Sequence, residues 1–243
     1  MARKTVLITG GSRGIGAAAA KLLGAEGWAV GVNYRSDADA AAATVKAVEA
    51  AGGEAVAIQA DTGVAADVVR MFEEMDQAFG RLDALVNNAG IVGPRGPFDA
   101  VELEAMQRVL NVNVIGPMLC VQAAMPRLEA AGGGAIVNVS SGAANIGGAG
   151  ENVLYATSKG AVNSLGIGLA IELGRKGIRV NTVSPGLTRT DMPPKDKLES
   201  QGPGIPLGRV GEAEEVAEGI VWLLSEKASW TAGANIRISG GRP

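Results

Sequence analysis

Val6-Leu7-Ile8-Thr9-Gly10-Gly11-Ser12-Arg13-Gly14-Ile15-Gly16 runs from a short apolar strand, through four glycines, into a segment with helical spacing. That order puts backbone N–H groups and a helix N-terminus at the carboxyl end of a strand, where they can cradle a pyrophosphate. Glycines alone make tight turns; their position directly after the first strand favours the phosphate reading. No Lys-Ser or Lys-Thr closes the loop, so the nucleoside-triphosphate signature is absent and a dinucleotide fits better. Gly10, Ser12, Arg13, Gly14, Ile15 and Gly16 are the candidate contacts.

Beyond this turn, apolar runs of strand length recur at 5–9, 28–33, 55–60, 84–86, 135–139, 178–183 and 235–238. Helix-period segments at 15–26, 38–50, 64–79, 102–128, 153–175 and 212–224 alternate with them. Strand followed by helix, repeated, predicts an α/β fold: a Rossmann-like, doubly wound parallel sheet of about seven strands with helices on both faces. The 243 residues, 47% of them hydrophobic, suit a single domain spanning 1–243. A formal charge of −3, with 22 Lys and Arg scattered along the chain, offers no basic face for nucleic acid or anionic lipid. Cys120 is the sole cysteine, so an intrachain disulfide is excluded and a small core thiol is expected. The chain has no histidine, which rules out a Ser-His-Asp triad and a His-ligated zinc site, and no metal is expected. The N-terminal stretch reads as strand rather than as an apolar signal, and the expectation is a cytoplasmic protein without a membrane partner.

Successive strand ends carry the remaining candidates. After the second strand comes Asn33-Tyr34-Arg35-Ser36, with no carboxylate for a ribose 2′-hydroxyl; Arg35 and Arg13 can instead clamp a 2′-phosphate, so NADP(H) is preferred and NAD(H) possible. After the third, Asp61 and Thr62 face the adenine end, although Asp61 equally suits a cap for the helix near Val64. The fourth ends in Asn87-Asn88-Ala89-Gly90, whose small and amide residues permit close ribose contact. Tyr155 and Lys159 lie one helical turn apart on one face, where a fixed ammonium can draw a phenol's pKa down from its usual value near ~10.

The glycine loop, Asn87 to Gly90, Ser140-Ser141, Tyr155 with Lys159, and Ser184-Pro185-Gly186 occur in the order seen in the short-chain dehydrogenase/reductase family, and the chain resembles that family over essentially its whole length. The resemblance implies hydride transfer between a nicotinamide and a small-molecule carbonyl or alcohol. It implies Tyr155 as proton donor or acceptor, Ser141 rather than Ser140 holding the substrate oxygen, and Lys159 on the nicotinamide ribose. It further implies Asn113, with Asn111 as the alternative, holding a water that links Lys159 to solvent. Asn88, Ala89 and Gly90 would meet the ribose. Pro185, Gly186, Thr188 and Thr190 match the segment that contacts the carboxamide.

Two departures from the family pattern stand out. Ser141 precedes Tyr155 by fourteen residues rather than thirteen, an insertion that the glycine-rich loop 142–152 is expected to absorb. Ile238-Ser239-Gly240-Gly241 lacks the acid often found before the Gly-Gly pair. The Pro- and Gly-rich insert at about 188–208 is read as an irregular substrate lid. Ala156, Gly160, Ser164 and Gly168 form a small-residue stripe that fits either packing on the sheet or, by family habit, assembly into a homotetramer. Within the family the run 32–36 resembles some glucose 1-dehydrogenases, and the resemblance leaves both sugar oxidation and 3-oxoacyl thioester reduction open. A silent nucleotide-binding regulator is the alternative from another class.

Overall fold

A computed structural model describes residues 3–242; Met1, Ala2 and Pro243, the ends of the expected domain, lie outside the described residues. The seven expected strands are present: β1 Thr5–Ile8, β2 Ala29–Tyr34, β3 Glu54–Gln59, β4 Ala84–Asn87, β5 Gly134–Val139, β6 Ile178–Pro185 and, after two short strands described below, β9 Asn235–Ile238. They pair in the order β3-β2-β1-β4-β5-β6-β9. Every pairing in this sheet is parallel. The order turns back on itself between β1 and β4, which places a crevice at their carboxyl ends.

Parallel strands need crossovers, and here the crossovers are helices that cover both faces. Val6 and Ile8 of β1 pack with Ala19, Ala20 and Leu23 of α1 (Gly14–Ala25), Val48 of α2 (Ala38–Ala50) and Ile220 of α9 (Ala213–Leu224). Leu7, between them in sequence, points the other way. It joins Met71, Phe72 and Met75 of α3 (Ala65–Phe79), Cys120 and Leu128 of α5 (Gly116–Ala130) and Leu173 of α7 (Val153–Leu173). Cys120 is fully buried there, and burial pushes its thiol up to about 12, as befits a core residue.

Two local features differ from the sequence reading. The expected single helix at 102–128 is α4 (Leu103–Leu110) and α5 separated by a wide π turn at Asn111–Ile115. An 18-residue window within Leu103–Ala130 has a mean hydropathy of 1.4, apolar enough to cross a bilayer, yet half of that window is buried within the protein. The segment at 188–208 is ordered rather than irregular: β7 (Thr188–Arg189) pairs with β8 (Gly211–Glu212), and α8 (Lys195–Gln201) lies between them. Leu198 and Ile205 pack with Val210 and Leu187 in a small core of their own. The small-residue stripe of α7 turns away from the sheet after Ala156, with Gly168 exposed and nothing near either Gly160 or Gly168.

The residue that seats α7 on the sheet is Gly166, where an added Cβ would stand 2.4 Å from the Thr182 hydroxyl of β6. Gly166→Ala must therefore push the helix outward or distort a buried strand. A loss of about 1–3 kcal/mol is expected, read as a lower urea midpoint with an unchanged m-value.

Candidate active site

The glycine loop is held by the strand ends around it. Asn33 Oδ1 accepts from Gly10 N at 3.1 Å, while its amide donates to the Ile58 and Ala60 carbonyls at the end of the neighbouring strand β3. Thr9 Oγ1 accepts from Asn88 N and Ala89 N at 3.0 and 3.1 Å, and Asn88 Nδ2 donates to Thr9 O and Gly10 O. Close approach demands glycine: a Cβ on Gly16 would lie 2.4 Å from Gly10 O, and Gly14 sits at φ +53° against Thr190. The first turn of α1 has neither a side-chain cap nor an acid, so its N–H groups face the cleft unclaimed by side chains.

That cleft encloses about 650 Å³ and is lined by Ser12, Arg13, Arg35, Asp61 and Thr62, among others. A bare-backbone cradle, an uncapped helix start and two arginines suit a dinucleotide. Arg35 is exposed at its rim. Arg13 sits loosely, 3.8 Å from Asp37 and 3.7 Å from Asp191. Asp37, which sequence reasoning passed over, is a carboxylate in this same cleft, but its Oδ1 caps α2 through Ala40 N at 3.0 Å. Asp61 is claimed by Arg108 of α4, whose two Nη atoms reach its oxygens at 2.6 and 3.2 Å. It accepts from Gly63 N at 2.9 Å and does not cap α3, whose Val64 start has no side-chain cap. Burial raises its pKa, but the bonds from Arg108 and Gly63 outweigh that and hold it below the usual value.

A second cavity of about 490 Å³ adjoins the first, sharing Ile15, Asn88, Gly90 and Thr190 with it, and contains Ser141, Tyr155, Lys159, Pro185, Gly186 and Thr188. Three of the four expected catalytic residues thus meet at one pocket. Asn113 lies behind them, fully buried in the π turn, whereas Asn111 is exposed. Its Nδ2 donates to Ile91 O at 2.8 Å and Ser158 Oγ at 3.0 Å, and its Oδ1 accepts from Ile91 N at 2.9 Å. Both amide protons are spent on the chain, so its evident work is to tie the loop after β4 to α7. Only Oδ1 retains a lone pair for the water that the resemblance implies.

Ser140 is spoken for, donating to Lys159 O at 2.9 Å, while Ser141 accepts from Ala143 N and faces the Tyr155 phenol. The extra residue between Ser141 and Tyr155 is taken up by α6 (Ala143–Ile146) and by Gly147, Gly148 and Gly150, all at positive φ. Tyr155 departs from expectation. Burial raises its pKa; the opposing pull comes from Ser141 and the charge of Arg95 rather than from Lys159. The Lys159 ammonium lies 5.8 Å from the Tyr155 ring centre and donates to Val139 O at 2.7 Å. Its own burial lowers it to about 8.

Several residues at this site carried no motif. Arg95, Glu151 and Lys197 border the pocket as an ion-paired group, and Arg242 joins them from the C-terminal segment. Glu151 is the only charge in the loop 142–152, a signal that its glycine-rich neighbours obscure.

A family model described as enoyl-(acyl carrier protein) reductase matches residues 10–242. The chain is 45% identical to an uncharacterized oxidoreductase, YgfF, of Escherichia coli K12, covering 97% of this chain and 98% of that one. It superposes with a TM-score of 0.93 and 40% identity on a short-chain dehydrogenase from Burkholderia cenocepacia in complex with NADP, covering 98% and 97% of the two chains. A 3-ketoacyl-(acyl-carrier-protein) reductase from Brucella melitensis complexed with NADH gives a TM-score of 0.93 at 32% identity, covering 99% and 98%. By sequence and by fold, the chain belongs to the short-chain dehydrogenase/reductase family, enzymes acting on CH–OH and C=O groups.

Proposed function

We propose that the chain is an NADP(H)-dependent oxidoreductase of a ketone, aldehyde or alcohol, with Tyr155 moving the proton and the segment 188–208 covering the substrate. The observation that carries this reading is the meeting of Ser141, Tyr155 and Lys159 in a cavity continuous with the glycine-lined cleft. The nicotinamide supplies or takes the hydride when bound. The chain's residues handle the oxygen. Ser141 orients it beside Tyr155, whose raised pKa keeps the phenol protonated at neutral pH and ready to donate during reduction. Lys159 holds a proton behind it, poised to exchange near pH 8. Arg35 and Arg13 support the 2′-phosphate preference, since Asp37, the nearby acid, is engaged at the start of α2.

Tyr155→Phe should bind NADPH normally but lose roughly 10²–10⁴-fold in kcat on any accepted carbonyl. Unchanged turnover at 340 nm would remove the tyrosine from the mechanism. Arg35→Ala should raise the KM for NADPH by roughly 10–100-fold and leave that for NADH within about twofold, the loss of a charged hydrogen bond; equal losses would remove the 2′-phosphate role.

Lys159 generates a pH prediction. Its folded pKa of about 8 lies below the unfolded value of 10.5, so the unfolded chain binds this proton more tightly. The charged amine therefore costs stability most fully below pH 8, and the cost fades as pH rises towards 10.5. Lys159→Met should be inactive yet more stable at pH 7, by up to about 3 kcal/mol. The gain in urea midpoint should shrink steadily between pH 8 and 10.5, and a gain that stays constant would contradict it.

A further inference from the structure

We infer, resting on the oxidoreductase reading, that the preferred substrate is an oxo or hydroxy acid whose carboxylate is read at the pocket mouth by Arg95 and Lys197. Three separate segments converge there. Arg95 comes from the loop after β4, Glu151 from the loop before α7, and Lys197 from α8. Both Glu151 oxygens accept from Lys197 Nζ, at 2.6 and 2.7 Å, and Arg95 Nη1 donates to Oε1 of the same carboxylate. Gly96 N, bonded to Glu151 O at 2.9 Å, fixes the two loops together.

One carboxylate facing two cations leaves one positive charge over. Arg242, donating to the neutral amide of Gln201 at 3.0 Å, borders the same cavity. Besides Lys159, the charged side chains lining this pocket among the described residues are three cations and one acid, although the chain as a whole carries −3. Holding like charges together in a partly enclosed cavity is unfavourable without an anion to offset them, and such a cavity concentrates anionic ligands.

The donor count agrees. A guanidinium has five N–H groups in a planar fork, and Glu151 takes one of those of Arg95, so a second carboxylate can be accepted without displacing the first. The same cavity is also lined by Val92, Ile146, Leu187 and Met192, apolar side chains that suit an alkyl chain separating the carbonyl from the carboxylate. The charge of Arg95 opposes the rise that burial imposes on the Tyr155 pKa, consistent with a guanidinium near the reacting end of the pocket.

The test compares 4-oxopentanoate, 5-oxohexanoate and 6-oxoheptanoate with their methyl esters, using NADPH. At least one acid should exceed its ester roughly tenfold in kcat/KM. The acid-to-ester ratio should fall towards one in Arg95→Met and Lys197→Met, recover in Arg95→Lys, and decline with added salt. Ester turnover with a ratio of one in the wild type would overturn the carboxylate site and leave the oxidoreductase reading standing. A calorimetric titration of the NADP⁺-loaded protein with the same acids separates the two further. Binding that weakens about tenfold in Arg95→Met supports the site even where nothing is turned over. Absent binding, or binding indifferent to both substitutions, overturns it.

Discussion

The site depends on how tightly α7 is bound to the carboxyl end of β5. Two hydrogen bonds do this: Ser140 Oγ to Lys159 O, and Lys159 Nζ to Val139 O. Gly166 permits the contact one and a half to two turns further along, where any side chain would strike Thr182. Tyr155 and Lys159 are then carried by a rigid helix rather than a loop, and Ser141 follows Ser140 directly from the adjoining strand. A buried lysine is a poor way to stabilise a fold. Its presence here, in the wall of the cavity that holds Ser141 and Tyr155, is what a perturbed functional group looks like.

The same economy governs the cofactor cleft. Asn33, Thr9 and Asn88 use short polar side chains to join three strand ends, so the backbone of the glycine loop needs no support from large residues. Arg108 does for Asp61 what Asn113 does for the loop at Ile91: each brings a residue from the α4–π turn–α5 run against a strand end. Within the π turn Asn113 faces inward while Asn111 stays in solvent.

Much of this was legible in the residues. Alternating apolar runs and helical periods located all seven strands of the main sheet, because parallel strands buried on both faces leave near-continuous hydrophobic stretches. Spaced motifs singled out Ser141, Tyr155 and Lys159, and the fold brings all three to one cavity. What escaped was long-range and electrostatic. Arg108 meets Asp61 across 47 positions and Lys197 meets Glu151 across 46, and no periodicity encodes such pairs. The direction of the Tyr155 shift differs from expectation for a related reason: helical spacing brings Lys159 near, but only the packed structure shows its ammonium turned towards Val139 and the tyrosine largely buried. The order within 188–208 was hidden because α8 is short and its core of Leu198, Ile205 and Val210 is assembled across polar residues.

Gly147, Gly148 and Gly150 all adopt the left-handed region in the turn between α6 and α7. The serine and tyrosine are fixed from opposite sides, one by a strand and one by a helix, so the count of residues between them is not part of the chemistry. That turn is conformational slack: a change in its length would alter the cavity wall beside Glu151 and leave the strand and helix that carry Ser141 and Tyr155 in register.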